Sequence, residues 1–325
     1  MDIWNSLLMS LLTPMVLAFL LGVIASLIKS DLKVPPELYT AMTIYLLFAI
    51  GLKGGAKLDG VTFGEFWRPL VAAVFLSLAI PVWCYYLMKR FGRLDSVNSA
   101  ALAAHYGSVS AVTFGEALAF LQYAGVSYEP YVAALLAVME VPAIILAIFL
   151  VGKNTITAGG GNMKKVLREL LTSKSIVLLI GGMAIGILAG KQGAEQVSPL
   201  FEDPFRGVLT LFLLEIGLVT GRRLGDLRKA GWRLVAFGIV MPLLHGILGV
   251  LLGQWSGMGT GGATILGTLA ASASYIAAPA AVRVALPQAS PAIYLTASLA
   301  VTFPFNVVLG IPIYYSFARW LIPAG

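Results

Sequence analysis

Apolar residues come in ten long runs divided by short polar segments, near residues 7–28, 36–52, 69–89, 97–124, 129–151, 174–190, 205–220, 234–254, 262–286 and 290–318. A helix needs roughly 17 to 25 such residues to cross a hydrocarbon core about 30 Å thick. The pattern therefore predicts an all-α polytopic membrane protein with ten transmembrane helices.

The same marks occur twice. Ile50-Gly51-Leu52 with Gly55 and Leu58 recurs as Ile216-Gly217-Leu218 with Gly221 and Leu224, and Trp67-Arg68 recurs as Trp232-Arg233. Ser108-Val109-Ser110 recurs as Ser272-Ala273-Ser274, and Pro142 as Pro304. Each copy holds five runs. A duplicated unit with an odd number of spans enters the membrane upside down the second time, which is the inverted-repeat plan of many secondary transporters. The expected units are 1–152 and 174–325, joined by a cytoplasmic linker, 153–173. In that linker Ala158-Gly159-Gly160-Gly161 reads as flexible and Lys164 to Leu171 as a short amphipathic interfacial helix. Gly182, Gly186 and Gly190 recur every fourth residue and let a neighbouring helix approach closely.

Composition closes off the soluble alternatives. Hydrophobic residues make up 59% of the chain and charged residues 11%, against about 25% charged in soluble domains. Mean hydropathy is +0.90. The net charge of +7 does not call for nucleic acid, because fifteen Lys and Arg residues fall in one set of alternate loops and six in the other set with the termini. By the positive-inside rule both termini lie outside, in a multi-pass protein of the cell's inner (plasma) membrane. The leader Met1 to Ser6 carries no Lys or Arg, so the first run reads as a retained span and not a cleaved signal. A single cysteine, Cys84, supports neither a disulfide framework nor a thiolate cluster and reads as a small packing residue.

Runs four and nine depart from the rest. Around Tyr106 to Gly115 and Ala270 to Pro279, bulky side chains give way to Gly, Ala, Ser and Thr, so both helices are expected to break. Unpaired backbone at membrane depth is tolerated only against protein or a wet cavity, so two related breaks predict one shared site. A half-helix that begins inside the membrane offers free N–H groups and the positive end of its dipole, and two of them form a cradle for a small oxyanion. The candidate anion site comprises Ser108, Ser110, Ala111 and Thr113 from the first break and Ser272, Ser274, Tyr275 and Ile276 from the second. The competing reading has each hydroxyl bonding back to its own helix.

Intramembrane carboxylates are functional candidates by default. Glu140 precedes Pro142 by two residues as Thr302 precedes Pro304, which sets them at matching depths, where Glu140, Thr302, Asn306 and Ser110 are the candidate ligands of a coupling cation. Glu116 and His105 flank the first break as possible coupling groups. Arg283 and Glu215 are near enough to span ends to reach the interface, and His245 reads as a packing histidine.

These residues resemble the sodium-dependent bicarbonate transporter family known best from cyanobacterial carbon concentration. The resemblance is carried by Gly107 to Thr113, Met139-Glu140-Val141-Pro142-Ala143, Asp203-Pro204-Phe205-Arg206-Gly207, Ser272 to Ile276, and Pro279 through Arg283 to Leu286-Pro287. It implies spans 3–5 and 8–10 as a mobile core holding the crossed broken helices 4 and 9. It also implies spans 1, 2, 6 and 7 as a gate domain that assembles a homotrimer in membrane lipid. Function would be import of bicarbonate by sodium-coupled symport through an elevator movement, with Na+ as coupling ion and no cofactor. Tyr275 stands where the family pattern has an Asp, so one expected sodium ligand is absent. The family's long cytoplasmic insert, through which a PII-like regulator acts, is reduced to the loop around Gly160.

The sequence also admits other functions: a proton- or sodium-coupled organic-anion carrier, a non-transporting scaffold or receptor, or an intramembrane hydrolase. Against the hydrolase, Ser110 lacks a Gly-x-Ser-x-Gly elbow and the serines come in symmetric pairs. No phosphate-binding Gly-x-x-x-x-Gly-Lys sequence followed by Ser or Thr is present, which disfavours ATP-driven pumping.

Overall fold

The computed structural model describes residues 11–152 and 163–322, and all regular structure among them is helical. The leader, the first residues of the first run, and the Ala158 to Gly161 stretch lie outside the described residues.

Helix α1 (Pro14–Leu27) begins where Thr13 Oγ1 accepts the Val16 N–H at 3.3 Å and Pro14 occupies the first helical position, where its missing N–H is no loss. Two prolines open α2 (Pro36–Lys57) in the same way. A reciprocal capping box between Thr62 and Glu65 opens α3 (Phe63–Arg90). Two short helices follow, α4 (Ser96–Gly107) and α5 (Ala111–Tyr123), and then α6 (Val132–Glu140) and α7 (Pro142–Leu150), divided at the residue before Pro142.

After the linker come α8 (Met163–Leu171), α9 (Lys174–Gln196), α10 (Ser198–Phe201), α11 (Phe205–Ala230) and α12 (Trp232–Trp255). Helices α13 (Thr260–Ala271) and α14 (Ala277–Ala285) are again a divided pair. Last is α15 (Pro291–Leu321), whose middle, Thr296–Thr302 and Asn306–Gly310, is wound in wide π turns.

Among the described residues seven spans are long and apolar enough to cross a membrane by length and composition, with α6 and α7 together counted as one. The other three predicted runs correspond to α1, to α4 with α5, and to α13 with α14.

Glycine sets the tightest packing. A Cβ on Gly22 of α1 would fall on the Leu214 carbonyl of α11, and one on Gly217 would fall on the Phe19 carbonyl of α1. Helices α2 and α9 meet in the same manner, with Gly51 and Gly55 against the carbonyls of Leu179 and Met183, and Gly182 and Gly186 against the α2 backbone. Gly190 has a different role: at φ 62° and ψ −170° it kinks α9 and faces open space. The remaining helices pack around α3, α4, α12 and α13, where Gly249 lies against Gly267 and Gly253 against Ala263. The linker helix α8 is amphipathic as expected, burying Val166 and Leu170 and packing on α14.

Candidate functional site

The first break begins at a close contact. Gly107 faces the Pro81 ring and the Ala143 methyl, with no room for a Cβ, and the chain leaves helical geometry at Ser108 (φ −87°, ψ 169°). Ser108 Oγ then donates to the Glu140 backbone carbonyl at 2.8 Å, at the end of α6 where Pro142 begins α7. Ser110 is extended and caps α5, its Oγ accepting the Thr113 N–H at 3.2 Å.

The second break runs alongside. Ser272 is extended at φ −76° and ψ 162°, and Ser274 Oγ accepts the Ala278 N–H at 3.2 Å. Two bonds tie the breaks together. Ser110 N–H donates to Ser272 Oγ at 3.0 Å, and Ser274 N–H donates to the His105 carbonyl at 2.7 Å. Ser272 Oγ also donates back to the Leu269 carbonyl at 2.8 Å, so the helix-bonding alternative and the junction are both realised in one hydroxyl. Ser108, Ser110, Thr113, Ser272 and Ser274 are all buried, and Ala111 and Ile276 are half-buried. The N-termini of α5 and α14 thus open at one buried junction.

Tyr275 stands in this junction with its ring edge on Phe303, centroids 5.7 Å apart. Its buried hydroxyl faces Ser110 but has no hydrogen-bond partner of good geometry. An unpartnered buried hydroxyl costs about 1–3 kcal/mol, which marks this as a place where a polar ligand or water would be stabilised.

The structure engages the cation candidates in several ways. Glu140 is buried, its carboxyl near Ser175 of α9 while its backbone carbonyl accepts from Ser108. Thr302 Oγ1 donates to the Gly238 carbonyl at 2.8 Å and meets the Tyr106 hydroxyl at 2.6 Å. Asn306 donates to the Ala271 carbonyl at 2.8 Å, at the end of α13, and accepts from the Tyr314 hydroxyl at 3.0 Å. Direct bonds thus pair Ser110 with Ser272 and Ser108 with the Glu140 backbone, while Ser274 bonds His105 and Ala278, and Thr302 and Asn306 bond to other partners. Ser175, Tyr106 and Tyr314 were missed from sequence. For the tyrosines the signal was present: a phenol deep in an apolar run needs a partner for its hydroxyl.

Glu116 is buried in α5 with Oε2 lacking a partner. His105 bonds through Nδ1 to the Ala101 carbonyl, stacks on Tyr294 at 4.4 Å and leaves Nε2 unpartnered. Glu215 pairs with Arg222 at 3.1 Å, and the exposed Arg283 bonds the Pro279 carbonyl. In His245, Nε2 accepts from Trp83 at 2.7 Å, which leaves the ring proton on Nδ1.

The loop ends of the divided helices are also capped. Asp95 caps α4 through the Asn98 N–H at 2.8 Å, and Asn98 Oδ1 reaches across to the Ser290 N–H at 2.8 Å. Helix α13 begins at Gly259, which has no side chain to cap with, and Glu129 from the α5–α6 loop accepts that N–H at 2.5 Å. Burial pushes both carboxyls up, but the Asn98 backbone and side-chain donors bring Asp95 below its usual value. For Glu129 burial outweighs the bonds from Gly259 and Gly262, and the carboxyl stays raised.

Long apolar helices around a buried polar junction define a multi-pass membrane protein with a central polar site. The sequence profile of the Na+-dependent bicarbonate transporter superfamily matches residues 14–319, and the chain belongs to that superfamily. No curated protein matches the chain.

Proposed function

We propose that the chain imports bicarbonate, or a similar small anion, by sodium-coupled symport, with the junction of the two breaks as the anion site. The observation that carries this reading is the meeting of two capped helix N-termini at one buried point, Ser110 bonded to Ser272 and Ser274 to His105. Such a point stabilises an oxyanion without a permanent cation. The substrate would contact Ser108, Ser110, Ala111, Thr113, Ser272, Ser274, Tyr275 and Ile276.

The ten spans would form two inverted five-helix repeats, 1–152 and 174–325, about the linker 153–173. Packing supports this plan: α1 on α11 and α2 on α9 exchange places when the repeats are exchanged. Those four helices would be the gate, trimeric and fixed, and the others the core that carries the anion in an elevator movement. Glu140 on one part lies near Ser175 on the other, so core movement would separate them. A sodium ion at Glu140, Ser110, Thr302 and Asn306 would require Thr302 and Asn306 to exchange their present partners. Glu116, with its unpartnered oxygen, favours a second reading in which a proton drives transport.

The test is uptake of labelled bicarbonate into proteoliposomes under sodium and proton gradients imposed separately. Sodium-driven uptake is expected, and it is expected to lose its sodium dependence in Glu140→Gln. Uptake driven only by protons, and lost in Glu116→Gln, would replace the first reading by the second.

A further inference from the structure

One group of residues singled out in the sequence plays no part in the junction: Asp203-Pro204-Phe205-Arg206-Gly207. Its Phe205 and Arg206 line a cavity of about 300 Å³ between α2, α5 and the start of α11. Lys53 and Lys57 line it from α2, and Gln122 and Tyr128 from the opposite side. Lys57 and Gln122 mark one end. Ile50 lies two helical turns before Lys57 and Phe114 eight residues before Gln122, so the cavity runs roughly 10 to 12 Å along both helices to a floor of Ile50 and Phe114. Phe114 directly follows Thr113, whose N–H Ser110 caps, so the floor adjoins the junction.

The charge of this cavity is one-sided. Glu202 sits 3.8 Å from Lys53 and neutralises it. Lys57 lies over the Tyr128 ring at 4.9 Å, and among the described residues neither Lys57 nor Arg206 forms an ion pair. Basic residues are scarce on this side of the chain: Lys53, Lys57 and Arg206 are three of the six outside the positive-rich loops. Positive-inside bias works against cations here, so three at one concave site call for a local cause.

The geometry points to a second anion site: Lys57 and Arg206 hold a small planar oxyanion at the outer mouth of the path to the broken helices. The Arg206 guanidinium offers a two-pronged match to the oxygens of such an anion, and Lys57 adds a point charge. Low-dielectric walls of Phe205, Tyr128 and Ile50 focus the field and raise the local anion concentration. This inference rests on the transport reading for the identity of its ligand and for which face is outside, but not for the existence of the site.

The test has two arms. In the first, the purified full chain is treated with an amine-reactive label in bicarbonate or in chloride at equal ionic strength and pH, and labelling of Lys57 is followed by mass spectrometry. Lys33, exposed elsewhere, serves as internal reference. Bicarbonate is expected to slow labelling of Lys57 several-fold and leave Lys33 unchanged, with Arg206→Gln abolishing the protection. Equal labelling in both salts overturns the site. In the second arm, Lys57→Gln with Arg206→Gln is expected to raise KM for bicarbonate uptake several-fold, more at low than at high salt, with kcat unchanged. Protection of Lys57 in a chain that moves no bicarbonate would retain the site and refute the transport reading. Transport with unaltered KM would refute the site and retain transport.

Discussion

The two breaks meet at one point yet are finished differently. The first is three residues long, Ser108 to Ser110, and both of its hydroxyls are committed, to the Glu140 carbonyl and the Thr113 N–H. The second runs five residues, Ser272 to Ile276, commits its serine hydroxyls to the Leu269 carbonyl and the Ala278 N–H, and leaves the Tyr275 hydroxyl without a partner. Their outer ends differ too, since Asp95 caps its own helix while Gly259 borrows Glu129 from the other half of the chain. One wall is thus closed by its own bonds, while the other keeps one buried hydroxyl unpartnered. Substrate contacts are expected to form chiefly at the second.

The largest effect expected is at the closed wall. Gly107→Val places a side chain on the Pro81 ring and the Ala143 methyl, and overpacking of this kind costs about 1–3 kcal/mol or more. A marked fall in melting temperature in detergent is the outcome, and an unchanged one would mean that Gly107 is not tightly packed against Pro81 and Ala143. Next is a contrast between two buried tyrosines. Tyr106→Phe removes a hydroxyl bonded to Thr302 and should cost about 1 kcal/mol, whereas Tyr275→Phe removes an unpartnered one and should leave stability equal or higher. Equal losses in both would show that Tyr275 has a partner in the resting protein.

The smallest effect concerns the outer caps and is one of sign. Asp95 has a lowered pKa, so its contribution to stability is present above the ordinary carboxylate range and is lost as pH falls through the lowered value. Glu129 has a raised pKa, so its contribution is full below the ordinary range and is lost as pH rises through the raised value. Melting curves against pH should lose their acid-side slope in Asp95→Asn and part of their decline toward neutral pH in Glu129→Gln. The same slope lost in both variants would undo the contrast between the caps.

Much of this arrangement was legible in the chain. Small polar residues replacing bulk at Tyr106–Gly115 and Ala270–Pro279 located both interruptions, because a helix in lipid gives up its backbone bonds only where protein can replace them. Pro279 was less informative than expected: it falls in the first turn of α14, where no N–H is needed, and the break precedes it. Partners remote in sequence stayed hidden. Nothing in Lys174-Ser175-Ile176 announces its nearness to Glu140, and the Thr302 hydroxyl meets Tyr106 and Gly238 where α15 winds into π turns beside α12. The spacing of Gly182, Gly186 and Gly190 suggested one packing stripe, but backbone φ, which composition does not encode, sets Gly190 apart.

On the transport function proposed above, the junction of the two breaks holds the transported anion. The most direct measurement is uptake of labelled bicarbonate by proteoliposomes carrying Ser110→Ala with Ser274→Ala, beside wild type and Tyr275→Phe. Each cap removed costs about 1 kcal/mol, so the double variant should still fold, as a single symmetric gel-filtration peak would show. Loss of uptake in that folded variant is the predicted result, with Tyr275→Phe altered in KM. Wild-type uptake in the double variant would contradict the account and move the anion away from the broken helices.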